Sequence, residues 1–385
     1  MKFSKITFLK IMTVRKQKIG PVLLIILDGW GRAPHQQQNP IELAKTPIMS
    51  SLWDNYPHTT LEASGSAVGL LPNQDGNSEA GHLNIGAGRI VDQDVVKINK
   101  SIRKGTFQKN AAFEQAINHV KKNNSNLHLF GLLSDENSGH SNPEHIQALL
   151  GICRREKVKN VYLHLFTDGR DTPKFAALGF INAFEKTLKP NEKVVTIIGR
   201  LYLDRKKDWV KTKLAYETLL IGNVPKFTSA EAAIRDAYEK GESDEFIKPR
   251  IIIDKQGKSP RINNKDAIIF FNLRSDRARQ LSKPFVQTEF NKLNPGSFHR
   301  VKVLKDLIFV AMTDFGPDLE NILTAYPSED LDGTLPMGLS KLRQLYIAES
   351  EKFAHMTYFL NGGHTHSVGG EFRVNIPSPN VSSYD

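Results

Sequence analysis

The sequence predicts an α/β fold in which parallel sheets are covered by helices on both faces. Two observations carry this expectation. Short apolar runs alternate along the chain with segments whose apolar residues recur at helical spacing, and each run ends in a polar cluster. In such sheets ligands gather beyond the carboxyl ends of the strands, where these clusters fall. At 385 residues the chain is too long for one ordinary core and divides into about two domains.

The first run, Pro21–Leu27 (PVLLIIL), reads as a buried strand ending at Asp28. Further strands are expected at Leu127–Leu133, Val161–Phe166, Val194–Ile198, Ala267–Phe271, Leu307–Met312 and His355–Leu360. Helical spacing marks Ala111–Lys122, Glu144–Arg155, Lys174–Thr187 and Glu231–Glu239. Polar residues then follow the strands in turn: Ser134-Asp135, the run Thr167 to Thr172, Gly199-Arg200, and the run Asn272 to Arg279. Shifts in composition near Val91–Asp94 and Asp330–Gly338 mark hinges.

The formal net charge is +11, but the basic residues are scattered among 41 acidic ones, without a long Lys/Arg run or interleaved aromatics. That pattern argues against nucleic acid and fits a basic cleft for a small phosphorylated anion. The single Cys153 excludes an internal disulfide and fits a reducing compartment. Apolar runs fall short of the roughly 20 residues a membrane span needs. Residues 1–20 are basic without acidic residues, and they read as a disordered extension, with Met12 an alternative start.

Chemistry concentrates first in Leu71–His82, where Ser78 sits among Asp75, Glu79, His82 and the glycines Gly69, Gly76 and Gly81. Glycine lets a ligand approach the backbone closely. Serine is a weak nucleophile at neutral pH, so a neighbouring base or a metal ion must activate it. Asp28, in Asp28-Gly29-Trp30-Gly31, suits a hard-metal ligand or a turn cap. The cationic constellation comprises Arg170, Arg200, Arg205, Arg274 and Arg277. Guanidinium forks suit phosphate and carboxylate, and their placement after strands favours one anion pocket over scattered surface pairs. Together these residues point to phosphoryl transfer.

Five motifs in order make the reading specific: Asp28 to Gly31, Gly76-Asn77-Ser78-Glu79-Ala80-Gly81-His82, Thr167 to Thr172, Asn272 to Gln280, and Glu351 to Gly363. From about Pro21 onward the chain closely resembles the cofactor-independent phosphoglycerate mutases, a two-domain family of the alkaline phosphatase superfamily. The resemblance implies interconversion of 3-phosphoglycerate and 2-phosphoglycerate in glycolysis and gluconeogenesis. It implies a phosphoserine intermediate, no requirement for 2,3-bisphosphoglycerate, and two manganese ions, with magnesium, zinc or cobalt in some relatives. It also implies a cytoplasmic monomer acting on a small molecule, without a nucleic-acid or membrane partner.

Carried over by motif, Ser78 is the phosphorylated nucleophile, and Asp28 and Ser78 are ligands of one metal. His140, Arg170, Asp171, Arg200, Arg205, Arg274 and Arg277 form the substrate-binding set, with Asp171 a proton acceptor, and Lys352 contacts the transferring phosphoryl group. The implied division assigns 21–92 with 326–385 to an alkaline-phosphatase-like parallel-sheet domain, incomplete at its C-terminus. Residues 93–325 form a second, inserted α/β substrate-binding domain.

In the family, further metal ligands follow the segment resembling Ile376–Asp385: an Asp-x-x-x-His pair, an Asp-His pair and another histidine. These 385 residues lack them, and His364-Thr365-His366 is the available substitute or a plain surface loop. The expectation is therefore a chain that is inactive when isolated while its inserted domain folds. An unpaired sheet edge would invite aggregation. The alternatives are a catalytically dead remnant that binds phosphoglycerate or a partner, and another metal-dependent phosphomutase or phosphatase of the superfamily.

Overall fold

The structure, a computed structural model, describes residues 20–32 and 39–379. The extension expected over residues 1–20 lies, but for Gly20, outside the described residues. The chain forms two compact units, Met1–Thr60 and Leu61–Asp385.

In the smaller unit the described helices are Pro40–Leu43, capped by Asn39 Oδ1 on the N–H of Ile41, and Pro47–Asn55. The run Pro21–Leu27, expected as a buried strand, forms no strand, with Val22, Leu23 and Ile25 exposed at 84, 81 and 67%. A strand is defined by the neighbours that take up its backbone hydrogen bonds, and no described strand pairs with this run.

In the larger unit, eight strands form one sheet: β1 Leu127–Leu133, β2 Val161–Thr167, β3 Glu192–Gly199, β4 Lys226–Phe227, β5 Arg250–Ile252, β6 Ala267–Phe270, β7 Ile308–Thr313 and β8 Leu323–Tyr326. Their order is β4-β5-β3-β2-β1-β6-β7-β8, and every pairing is parallel except β3 with β5. Alternation along β1 divides the core in two. Leu127, Leu129 and Leu133 face one side, packed with the helices Ala111–Asn123, Pro143–Arg155, Ala177–Glu185 and Ala230–Glu239. Phe130 and Leu132 face the other, packed with Trp209–Leu220 and Ser275–Val286. The expected architecture of helices on both faces is thus present.

The topology also places the site. From β1 the chain works outward through β2 and β3, then returns to the far side of β1 at β6. The order therefore reverses between β1 and β6, and the loops leaving their carboxyl ends diverge to opposite faces and open a crevice. Ser134–His140 leaves β1 there and Asn272–Arg277 leaves β6, joined by the N–H of Leu273 to the carbonyl of His140 at 2.8 Å.

A second, two-stranded parallel sheet pairs β9 Leu345–Glu349 with β10 Phe372–Ile376. Leu345, Ile347, Phe372 and Ile376 remain 45–70% exposed on it. His355–Leu360, expected as a strand, is instead a π-helical turn continuing the helix Ser350–Ala354, closed by the N–H of Leu360 on the carbonyl of His355 at 3.0 Å. A short apolar run does not distinguish strand from buried helix, and packing against the helix Ser78–Ala87 decides it. That packing is close. A Cβ at Gly86 would meet the carbonyl oxygen of Leu360 at 1.9 Å, so only glycine fits.

Inside the sheet lies a fully buried polar chain. The Asp266 carboxylate accepts from His128 Nε2 at 3.2 Å, His128 Nδ1 meets His164 Nε2 at 2.9 Å, and His164 Nδ1 meets the Thr196 hydroxyl at 3.0 Å. One proton arrangement satisfies every partner: each histidine donates through Nε2 and accepts at Nδ1, and Thr196 donates. Both rings are thereby neutral, and burial pushes both pKa values down. Burial likewise takes His145 down to about 3. A histidine depressed in the folded state stabilises fully above its unfolded pKa near 6.5 and loses that contribution as pH falls. Each should cost about 1.4 kcal/mol per pH unit below that point. Urea melts from pH 7 to pH 5 should show a steeply falling midpoint, and a flat profile would contradict neutral buried histidines.

Candidate active site

Ser78 stands at the first turn of the helix Ser78–Ala87, whose N-cap Asn77 accepts the N–H of Ala80 through Oδ1 at 2.9 Å. Gly88, in the left-handed conformation, ends the helix by donating to the carbonyl of Asn84. The Asn84 side chain fixes the surrounding loop, donating to the carbonyl of Val68 at 2.9 Å and accepting the N–H of Val91 at 2.7 Å. His82 is not the base of Ser78: its Nδ1 lies 2.8 Å from the serine's carbonyl oxygen rather than its hydroxyl. The group on the hydroxyl is Lys352, whose Nζ donates to Ser78 Oγ at 2.8 Å across 274 residues of chain. An ammonium there lowers the cost of negative charge on that oxygen.

The arginines divide into three environments. Arg200 is buried and doubly paired, to Asp168 and to Asp171 Oδ2 at 2.9 Å. Burial would raise the Asp168 carboxyl, but the Ser134 hydroxyl at 2.6 Å and the Arg200 guanidinium hold it below its ordinary range. Asp171 also accepts from the Ser138 hydroxyl at 3.0 Å. Arg205 and Arg274 are about half exposed and converge on Asp276, Arg205 at 2.6 Å and Arg274 at 3.7 Å. Arg170 is more exposed and lies 3.6 Å from Glu245.

Arg277 is unlike the others. It is 7% exposed, and among the described residues no carboxylate lies within ion-pair distance of it. One nitrogen donates to the carbonyl of Leu203 at 3.2 Å, while buried Nε makes no hydrogen bond. Burial first, then Arg200 and Arg205, pull its pKa below the ordinary value. The Arg200 and Arg205 guanidinium groups thus sit close enough to disfavour the charge on Arg277, which makes no ion pair among the described residues. His140, packed beside them, is taken down to about 4 by burial, with Asp276 opposing and Arg200 and Arg274 reinforcing. The arrangement is an anion pocket with its positive charge incompletely compensated.

The structure therefore brings His140, Asp171, Arg200, Arg205, Arg274 and Arg277 to one end of the sheet, with Arg170 at its rim. It puts Lys352 on Ser78. Arg274 reaches toward the helix that carries Ser78, 3.9 Å from Glu79. Asp28 lies exposed in a turn of the smaller unit, where the N–H of Trp30 meets the carbonyl of Leu27. Ser134, Ser138, Asp168 and Asp276 were missed as partners by sequence reasoning. Sequence adjacency did not give these pairings: Asp168 lies two residues before Arg170 but pairs with Arg200, and Asp276 takes its shortest contact from Arg205.

Donors for a metal are few. Among the described residues no group of three or more His, Cys, Asp or Glu side chains is placed to hold an ion. His364 is committed elsewhere, with Nδ1 3.2 Å from Asp330 and Nε2 3.2 Å from the carbonyl of Leu331. The His364/His366 pair thus fails as a substitute site. Asp28 and Ser78 alone do not satisfy an ion that takes about six ligands, so the described residues do not fit a two-metal centre.

Comparison with known proteins places these features in a family context. The family model described as "BPG-independent PGAM N-terminus" matches residues 98–317. A 2,3-bisphosphoglycerate-independent phosphoglycerate mutase 1 of Methanosarcina barkeri is 49% identical over 372 residues, spanning 95% of this chain and 70% of the relative. The Acetivibrio thermocellus 2,3-bisphosphoglycerate-independent phosphoglycerate mutase is 42% identical over 369 residues, 94% of this chain and 71% of its own length. A crystal structure of Leishmania mexicana phosphoglycerate mutase at low cobalt concentration superposes with a TM-score of 0.75 at 28% identity, covering 92% of this chain and 67% of that one.

An unanswered buried charge costs stability, which gives a direct test. Arg277→Met keeps the apolar stem and removes the charge. In buffer without phosphate it should leave urea stability unchanged or raise it by about 1–2 kcal/mol. A loss above about 2 kcal/mol would mean that Arg277 is a structural residue whose partner is already present.

Proposed function

We propose, for a chain that belongs to the 2,3-bisphosphoglycerate-independent phosphoglycerate mutase family and is by that membership a phosphoglycerate mutase, that the transferring phosphoryl group is carried on Ser78 while the arginine pocket retains the glycerate. The observation that carries this reading is the Lys352 ammonium on Ser78 Oγ. In this reading Ser78 attacks phosphorus, the bond to the departing glycerate oxygen breaks, and the proton lost by the serine hydroxyl ends on that oxygen, leaving phosphoserine and a glycerate hydroxyl. The glycerate, turned but not released, then takes the group back on its other hydroxyl. Lys352 stabilises charge on the serine oxygen and on the phosphoryl oxygens. Arg277, Arg200 and Arg205 hold the anion, Arg170 and Arg274 close its rim, and His140 lines the wall.

Asp171 is proposed to take and return the hydroxyl proton of the glycerate. It is held in place by Ser138 and Arg200 while staying partly open to the pocket. The domain division proposed with it is 93–325 as the substrate-binding insertion and 21–92 with 326–385 as the nucleophile domain. The span of the family match, 98–317, supports that division.

The family's manganese would supply Lewis-acid stabilisation of the serine oxygen when bound. Ser78 and, from the smaller unit, Asp28 are each proposed as a single donor toward it by family resemblance, too few to form the centre among the described residues, and no step above depends on the metal. Glycolysis is the proposed setting and the cytoplasm the proposed location. The described residues contain no helix long and apolar enough to cross a membrane.

The test combines binding with turnover. Calorimetric titration with 3-phosphoglycerate should detect binding that Ser78→Ala retains and Arg277→Met weakens at least about tenfold. In an enolase-coupled assay with manganese added, the donor count predicts no detectable turnover by these 385 residues alone. Clear turnover would show that donors within the chain suffice. Equal binding by wild type and Arg277→Met would refute the pocket.

A further inference from the structure

Asp276 belongs to none of the roles assigned so far, yet three of the pocket's cationic or titratable groups meet on it. It is the second residue of the helix Ser275–Val286, where a carboxylate also complements the N-terminal helix dipole. Oδ2 accepts from Arg205 Nη1 at 2.6 Å. Oδ1 faces Arg274 Nε at 3.7 Å and His140 Nδ1 at 3.6 Å. Oδ1 and His140 Nδ1 are both buried and both without a hydrogen bond. The two oxygens of one carboxylate thus divide the work, one anchoring Arg205 and the other standing between Arg274 and the imidazole.

We infer that Asp276 is a positioning residue of the phosphoglycerate pocket, holding Arg205, Arg274 and His140 in the arrangement that receives the anion. The inference rests on the phosphoglycerate reading of the site. Arg205 and Arg274 are 41 and 49% exposed, and a long exposed side chain samples many rotamers unless something fixes it. Anchoring one face of each guanidinium leaves the remaining N–H groups directed at a ligand and moves the ordering cost out of the binding step. The link extends to the nucleophile, because Arg274 also reaches Glu79, the residue after Ser78.

Plain Coulomb attraction predicts the opposite consequence of losing this carboxylate. Removing a negative charge beside a trianionic ligand would strengthen binding. Positioning predicts weaker binding, so the sign of the change separates the two. A second readout is rescue: Asp276→Glu restores a carboxylate that can again meet Arg205 and Arg274.

The experiment compares wild type, Asp276→Asn and Asp276→Glu, each first checked for an unchanged thermal melt. Calorimetry with 3-phosphoglycerate should show binding weakened about tenfold or more in Asp276→Asn and partly restored in Asp276→Glu. Binding equal to or tighter than wild type in Asp276→Asn, or no recovery in Asp276→Glu, would overturn the inference. Should wild type itself fail to bind 3-phosphoglycerate, the phosphoglycerate reading falls and this inference with it, whereas wild-type binding left unchanged by Asp276→Asn overturns the positioning role alone.

Discussion

An arginine cannot shed its proton at any pH a protein survives, so a buried guanidinium must be answered by an anion. That constraint organises this molecule. The carboxylates near the crevice are already engaged: Asp168 and Asp171 by Arg200, Asp276 by Arg205, Glu245 by Arg170. What remains is Arg277, buried within electrostatic reach of Arg200 and Arg205 and with one nitrogen unsatisfied. The sheet topology brings the loops to this place, because the strand order reverses between β1 and β6 and opens a crevice at their carboxyl ends. Charge left over at the end of a sheet suits an anionic ligand.

The serine arm obeys a different constraint, close backbone approach. Gly86 lets the helix carrying Ser78 lie against the turn Ser350–Leu360, and the same contact presents Lys352 to the serine hydroxyl. The helix and the turn therefore act as one positioning unit. The described donors are too few for the family's metal centre, and the chain spans about 70% of the length of the relatives it matches. The two-stranded sheet of β9 and β10 leaves Leu345, Ile347 and Phe372 in solvent, an apolar surface that favours association.

How much of this could be read from the residues depended on burial. The strands β1, β2, β3, β6 and β7 are almost wholly buried, so their apolar runs stand out from their surroundings. Pro21–Leu27 and His355–Leu360 carry equally apolar runs, but one finds no pairing strand and the other is bent into a helical turn by its contact with the Ser78 helix. Lys226–Phe227 and Arg250–Ile252 are too short to leave a periodic signal. In the site, the arginines were legible because they follow strands. Their carboxylate partners were not, since sequence order does not say which acid faces which base. Asp276 lies inside a motif singled out for its arginines, and only the geometry shows three groups converging on it.

The most direct measurement is a crystal structure of the chain with 3-phosphoglycerate bound. The account predicts an anionic group of the ligand within hydrogen-bond distance of Arg277 Nε, with Arg200 and Arg205 closing around it and Asp276 still paired to Arg205. A ligand bound away from Arg277, or an Arg277 Nε satisfied by a protein carboxylate in the ligand-free crystal, would contradict it.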